Sequence, residues 1–272
     1  MTENEERVAR HYNEVIFEAE LNRTVEQFPV ELAMTCRHLE RHVTPGSVVA
    51  EVGVGGGLYS EFLAERGCRL YLIDISGRLL EAVAARLRAA GFGECILGVH
   101  QVSATRLEPL AAGSCDAVLL LGPLYHLVEL EDRQRAVGEA ARVLREGGVL
   151  LAGGINRLAY LRDLFREFPD RVRSRREFHE RHLWDGIVDE EHAPPIGLAH
   201  MTAVGEFRQL FAAGFEEIAL VAVESFTSPW QSKFRELRPE DREAWLELVE
   251  QTGTWPEAFG LADHYLYVGR RL

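Results

Sequence analysis

The sequence has few cysteines, one lysine and no long apolar run. Its four cysteines are far apart and include no C-x-x-C pair, which predicts reduced thiols rather than a disulfide framework. Lys233 stands alone among 30 basic residues, a bias that we attribute to codon usage. No apolar stretch approaches the about 18 residues of a membrane span, and the first residues lack a signal-peptide pattern. We therefore expect a cytoplasmic protein that does not enter a membrane.

Positive charge is also in deficit. The chain carries 30 Lys and Arg residues against 43 Asp and Glu residues, a formal net charge of −13 at pH 7. Such a balance repels a phosphate backbone and argues against nucleic acid as the partner. The 272 residues, of which 47% are hydrophobic, suffice for one large domain with a packed core. We expect a small-molecule partner and a monomeric or homodimeric chain.

Short apolar runs alternate with amphipathic, helix-length stretches between residues 47 and 155. This rhythm is typical of βαβ units around a parallel sheet, so it predicts an α/β protein. The rhythm resumes after residue 201. The predicted strands cover residues 48–52, 69–73, 95–102, 116–121, 149–152, 217–223 and 265–268.

Two other parts of the chain do not follow that rhythm. Residues 156–200 are rich in Arg and His and end in Pro194-Pro195, which predicts an inserted substrate lid. Residues 1–46 predict N-terminal helices that cover a site, two of them by our count. The core of the domain would then comprise residues 47–155 and 201–272, with a second insertion at 225–263.

A cluster of glycines separates the first predicted strand from the helix after it. Such a turn lets backbone N–H groups approach a nucleotide-like cofactor closely. Leu58 stands where a dinucleotide fingerprint requires glycine, which counts against NAD. Glu51 just before the glycines favours a cofactor that carries positive charge, as S-adenosylmethionine does. Asp74, about 20 residues beyond Gly53, is placed to accept hydrogen bonds from ribose hydroxyls.

These motifs resemble a known family. The segment from Glu51 to Gly57 matches the E/D-x-G-x-G-x-G loop of class I S-adenosylmethionine-dependent methyltransferases, and Asp74 matches their second acidic motif. The run from Gly122 to Leu127 looks like the GPLYHL segment of a bacterial subgroup that acts on small molecules. The resemblance implies a Rossmann-like fold with helices on both faces of a mostly parallel seven-stranded sheet, ordered 3-2-1-4-5-7-6. It also implies methyl transfer by in-line displacement.

The resemblance further implies which residues form the site. Where the subgroup often has an Arg-Leu pair, this chain has Glu20-Leu21, and we expect Arg23 to substitute. The implied cofactor contacts are Tyr12, Arg23, Glu51, Gly53, Gly55, Gly57, Asp74, Ile75, Ser103, Ala104, Leu121 and Gly122. The expected acceptor contacts are Tyr125, His126, Tyr160 and His200, with His126 also the candidate general base and with no metal ion.

Several alternatives stay open on the sequence alone. His126 equally fits a structural hydrogen bond, and Tyr12 equally fits packing. The chain could be a non-catalytic S-adenosylmethionine-binding protein, or an enzyme that uses the same cofactor for another group transfer. A nicotinamide-dependent reductase is disfavoured by Glu51 and Leu58. The acceptor atom could be oxygen, nitrogen, carbon or sulfur.

Overall fold

The strands predicted from the sequence form one large sheet in the computed structural model. The structure describes the backbone throughout and the side chains of residues 1–21 and 27–272. The strands are β1 Val48–Val52, β2 Arg69–Asp74, β3 Ile96–Gln101, β4 Cys115–Leu120, β5 Leu144–Ile155, β6 Ile187–Val188, β7 Ala199–His200, β8 Phe215–Ala222 and β9 His264–Arg271.

The large sheet has the order β3-β2-β1-β4-β5-β9-β8. The neighbours from β3 to β5 pair in parallel, whereas β9 runs antiparallel to both β5 and β8. Because β6 and β7 form a separate small sheet, β8 and β9 are the sixth and seventh strands of the large one. The expected order 3-2-1-4-5-7-6 and the mostly parallel sheet are therefore confirmed. The order reverses between β1 and β4, and ligands of open α/β sheets bind at such a reversal, beyond the carboxyl ends of the strands.

Helices cover both faces of the sheet. They are α1 Glu3–Arg10, α2 Phe17–Gln27, α3 Pro29–His42, α4 Leu58–Glu65, α5 Gly77–Ala89, α6 Pro123–His126, α7 Leu130–Val143, α8 Ala159–Glu167, α9 Arg176–Asp185, α10 Val204–Gln209, α11 Pro239–Thr252 and α12 Pro256–Leu261. Within the part of the chain that the structure describes, no helix is both long enough and apolar enough to cross a membrane.

Neighbouring strand residues point into two separate apolar clusters. Val49 packs with α3, α4 and α5 on one face, whereas Ala50 packs with α7 and α10 on the other. Because strand side chains alternate between faces, a strand that is covered on both sides must be apolar throughout. This explains why the continuous apolar runs of the sequence predict the central strands well.

The helix after β2 shows how the sequence sets a boundary. Ser76 lies in extended conformation before α5, and its Oγ accepts the backbone N–H of Leu79 at 3.2 Å. Such a cap satisfies one of the donors that a helix start leaves without a partner. Leu80, Val83 and Leu87 are then buried on one side of the helix.

The N-terminal region differs from the expectation of two helices. After α1, a π-helical turn over His11–Val15 leads to α2, and Pro29 begins α3. The helical structure is therefore interrupted twice before β1. The second interruption lies at Pro29, because a proline cannot continue the preceding helix. Val30, Met34 and Leu39 of α3 are buried against the sheet.

The predicted lid holds α8, α9 and the small antiparallel pair β6–β7. Its apolar side chains form a cluster of their own, which includes Tyr160, Phe178 and Val188. The predicted second insertion holds a 3-10 segment, Ser225–Glu236, followed by α11 and α12. The assignment of residues 156–200 as a functional lid stays a prediction.

Candidate functional site

A cavity opens at the carboxyl ends of the parallel strands, where the strand order reverses. It holds about 1100 Å³ of empty space including its mouth, which is enough for a ligand of cofactor size. The N-terminal helices contribute to its wall as well as the loops after the strands. The predicted site residues that line it are Tyr12, Gly53, Gly55, Gly57, Asp74, Ile75, Ser103, Ala104, Leu121, Gly122, Tyr125 and His126.

The glycine loop after β1 is built in a conformation that other residues rarely adopt. Gly53, Gly55 and Gly57 have φ angles of +83°, +48° and +74°. A Cβ atom on Gly53 would lie 2.7 Å from Cδ of Pro123, so the loop after β4 packs directly on this glycine. The loop therefore presents backbone to the cavity at close range, as a nucleotide-like cofactor requires.

Asp74 is the last residue of β2, the strand that pairs with β1, and it lies next to that loop. Its Oδ1 accepts the backbone N–H of Ser76 at 2.8 Å, and Gly55 also donates a backbone hydrogen bond to the carboxylate. Burial raises the pKa of Asp74 to about 6 despite these hydrogen bonds. The Asp74 carboxylate thus links the glycine loop to the end of β2, and it lines the cavity next to Ile75.

The loop after β3 meets a residue that the sequence analysis did not identify. Glu5 of α1 accepts hydrogen bonds from the hydroxyls of Ser103 and Thr105, the latter at 3.2 Å. Burial would raise the pKa of Glu5, but these hydrogen bonds lower it below its ordinary value. Glu5 therefore adds a carboxylate to the cavity beside Ser103 and Ala104.

Glu51 lies under the glycine loop and is not one of the described residues that line the cavity. It is 2% exposed, and its Oε2 accepts the Ser60 hydroxyl of α4. Burial raises the pKa of Glu51 to about 8. The structure thus places this carboxyl group as a link between β1 and α4, where the sequence analysis expected a cofactor contact.

Tyr12 and His126 meet at the edge of the cavity. The Tyr12 hydroxyl lies 2.8 Å from Nε2 of His126, whose Nδ1 lies 2.9 Å from the carbonyl oxygen of Leu198. A carbonyl only accepts, so Nδ1 carries the proton and a neutral ring accepts the Tyr12 hydroxyl at Nε2. His126 and Tyr12 therefore line the cavity as a hydrogen-bonded pair.

Tyr160 and His200, two predicted acceptor contacts, lie away from the cavity. The Tyr160 hydroxyl lies 3.2 Å from Nδ1 of His179 inside the apolar cluster of the lid. His200 is 7% exposed, and burial together with Arg133 and Arg157 lowers its pKa to about 3. Neither is among the described residues that line the cavity. The side chain of Arg23 lies outside the described residues.

The other end of the cavity is lined by Glu20, Glu31, Tyr59 and His264, none of which the sequence analysis expected to contact the cofactor or the acceptor. His264 begins β9, which pairs with the end of β5, so it lies at the carboxyl edge of the parallel strands. Its place just before the last predicted strand, at residues 265–268, was a signal that could have identified it.

Part of the chain matches a known family. Residues 50–152 match the family model described as "Methyltransferase domain". A "Ubiquinone biosynthesis O-methyltransferase" of Xanthomonas oryzae pv. oryzae is 35% identical over 115 residues, which cover 41% of this chain and 44% of that protein. The match thus spans less than half of the length of that relative.

Solved structures share the fold across most of the chain. The geranyl diphosphate C-methyltransferase of Streptomyces coelicolor A3(2) superposes with a TM-score of 0.61, covers 100% of this chain and 99% of its own, and is 14% identical. A S-adenosylmethionine-dependent methyltransferase of Methanosarcina mazei has a TM-score of 0.58 and 16% identity, and covers 86% and 97%. The chain has the Rossmann-like fold of class I methyltransferases.

Proposed function

We propose that this chain, whose residues 50–152 form a methyltransferase domain, transfers a methyl group from S-adenosylmethionine to a small-molecule acceptor. The observation that carries the proposal is the glycine loop after β1, which lies against the Asp74 carboxylate and lines with it a cavity at the reversal of strand order. Both motifs lie in the matched residues.

The residues of the cavity fit this cofactor. The positive-φ backbone at Gly53 and Gly55 leaves room for close approach, and Asp74 supplies an acceptor for ribose hydroxyls. Ser103 and Ala104 would lie at the adenine end, and the Leu121 carbonyl would accept from the ammonium group. The sulfonium supplies an activated methyl group, so the protein has mainly to orient the acceptor and exclude water.

The acceptor would lie in the same cavity, within reach of Tyr125 and the Tyr12–His126 pair. An acceptor that loses a proton can pass it to Tyr12 as that hydroxyl passes its own to Nε2 of His126. The name of the Xanthomonas oryzae relative supports a small-molecule acceptor. The cytoplasmic location and the monomeric or homodimeric state stay predictions.

Titration calorimetry tests the cofactor first. We expect saturable binding of S-adenosylmethionine and S-adenosylhomocysteine and none of NADH. Binding of NADH alone would contradict the proposal. Mass spectrometry of acceptor mixtures then separates methyl transfer, which adds a methyl mass, from another group transfer. A protein that binds the cofactor but gives no product with any acceptor would be the non-catalytic alternative.

A further inference from the structure

His264 and Glu224 form a pair at the β9 end of the cavity that the proposed mechanism does not use. Nδ1 of His264 lies 2.5 Å from Oε1 of Glu224, and the backbone N–H of His264 donates to Oε2 of the same carboxylate at 3.0 Å. Glu224 follows β8 and is completely buried. Glu224 lies two residues beyond β8, which pairs with β9, and the backbone N–H of Val223 donates to the His264 carbonyl, so the edge of the sheet holds the pair in place.

This pairing fixes which nitrogen of His264 faces a ligand. A carboxylate accepts, so Nδ1 is the donor and the ring turns Nε2 away from Glu224. The side chain of His264 keeps 13% of its surface accessible and lines the cavity. No residue that the structure describes makes a hydrogen bond with Nε2. The Phe28 ring packs edge-on against the imidazole at 5.0 Å between centroids and so fixes its orientation.

Acidic groups from several elements surround the imidazole. Oε2 of Glu31, on α3, lies 3.7 Å from Nδ1, and Asp263 and Asp163 act from a greater distance. Arg162 pairs with Asp263, which reduces that contribution. Burial would lower the pKa of His264, but Glu31, Glu224 and Asp263 together raise it to about 10. His264 is therefore an imidazolium at neutral pH.

We propose that His264 binds the acceptor through Nε2–H and holds its reacting hydroxyl as an oxyanion, which makes ionisable hydroxyl compounds such as phenols the substrate class. This inference rests on the proposed function. The carboxylates of Glu224 and Glu31 lie on the Nδ1 side of the ring, so Nε2–H, on the other side, is the donor that His264 can offer to a ligand in the cavity that it lines. The acceptor proton passes to Tyr12 as the Tyr12 hydroxyl passes its own to Nε2 of His126, so the bound oxygen is already a nucleophile.

A phenol whose ionised form absorbs visible light tests this directly. 4-Nitrophenol is added to the protein with saturating S-adenosylhomocysteine and EDTA, at a pH where the free probe is mostly neutral. We expect the phenolate band to appear on binding to the wild-type protein. His264→Gln should weaken probe binding about 10- to 100-fold, the range for a hydrogen bond between charged groups, and should abolish the band.

As the pH is lowered, the band disappears when the bound phenolate takes up a proton. Glu224→Gln, with the histidine still present, should lower the pH at which this happens, because one carboxylate beside the imidazolium is lost. A merely structural role would not shift this pH. His100→Gln, on β3 outside the cavity, is the matched control and should leave the band unchanged.

The outcomes separate the inference from the proposed function. If S-adenosylhomocysteine does not bind, the proposed function fails. If it binds but 4-nitrophenol gives no phenolate band, or the band survives His264→Gln, the oxyanion proposal is wrong. Preferential binding of benzylammonium would also overturn it, because Glu31 and Glu20 would then set the charge of the acceptor. Retained S-adenosylhomocysteine affinity shows that each variant is folded.

Discussion

The Tyr12 hydroxyl lies 2.8 Å from Nε2 of His126, and the two rings meet edge to face at 5.2 Å between centroids. The contact joins the N-terminal segment to the loop after β4. Because Nδ1 of His126 also donates to the Leu198 carbonyl, three segments that are distant in sequence depend on one imidazole. The position of His126 is thus set by structure outside the sheet.

The contact predicts an energetic coupling between Tyr12 and His126. In a double-mutant cycle of Tyr12→Phe and His126→Gln, we expect a coupling of about 0.5–1.5 kcal/mol in the free energy of unfolding, measured by urea denaturation. The control is a cycle of Tyr71→Phe with His126→Gln, which should show additive effects, since Tyr71 lies on β2 and its ring packs near His100. Additive effects in the Tyr12 cycle would show that the hydrogen bond does not form in solution.

Gly53 should tolerate a side chain much less well than Gly46. Both have φ near +80°, so alanine at either position carries a backbone cost of about 1–2 kcal/mol. A Cβ atom at Gly46 meets nothing within 4 Å, whereas at Gly53 it meets Pro123. We expect Gly46→Ala to show only the backbone cost and Gly53→Ala to lose more stability and cofactor affinity. Equal melting temperatures would contradict this.

Asp74→Ala should weaken binding of S-adenosylhomocysteine by about 1.5–3 kcal/mol, the range for lost hydrogen bonds to a charged group. Because the pKa of Asp74 is raised to about 6, wild-type binding should also weaken as the pH falls through that value. Calorimetry over a pH series measures both effects. Asp116→Ala, at the start of β4 where Asp116 pairs with Arg145, should leave the affinity unchanged.

Glu51 should make the stability fall with rising pH. Its pKa is raised from 4.5 to about 8 in the folded protein, so the folded state holds the proton more tightly. The resulting stabilisation is complete below pH 4.5 and decreases by up to about 1.4 kcal/mol per pH unit until about pH 8.

The Glu51→Gln variant should lose this dependence, as followed by denaturation across that range. Glu81→Gln, on the exposed side of α5, should keep the wild-type slope. A wild-type slope in Glu51→Gln would assign the pH dependence to another group.

The sequence predicted the sheet well because local pattern and tertiary burial agree there. β1 has the predicted bounds, since its apolar run ends at a glycine loop that cannot continue the strand. β5 is longer than predicted at both ends, because it pairs with β4 from Leu144 and with β9 as far as Ile155, and no local pattern shows those pairings.

The sequence identified residues of the cavity only in segments that match a family motif. Glu5, Glu31 and His264 were missed because they enter the cavity from segments that are distant in the chain and have no characteristic spacing. Tyr160 was expected to contact the acceptor, but its ring belongs to the apolar cluster of the lid. A tyrosine on a helix does not by itself show whether its side of the helix packs against the protein or faces a ligand.

β9 enters the sheet between two strands that are synthesised before it. A nascent chain on the ribosome can pair β1 to β5 as they emerge, but β8 has no neighbour in the sheet until β9 arrives. His264 is the first residue of that late strand, so the last chemical group of the cavity arrives only when the sheet closes. Assembly during translation therefore delays a competent pocket until nearly the whole domain has left the exit tunnel.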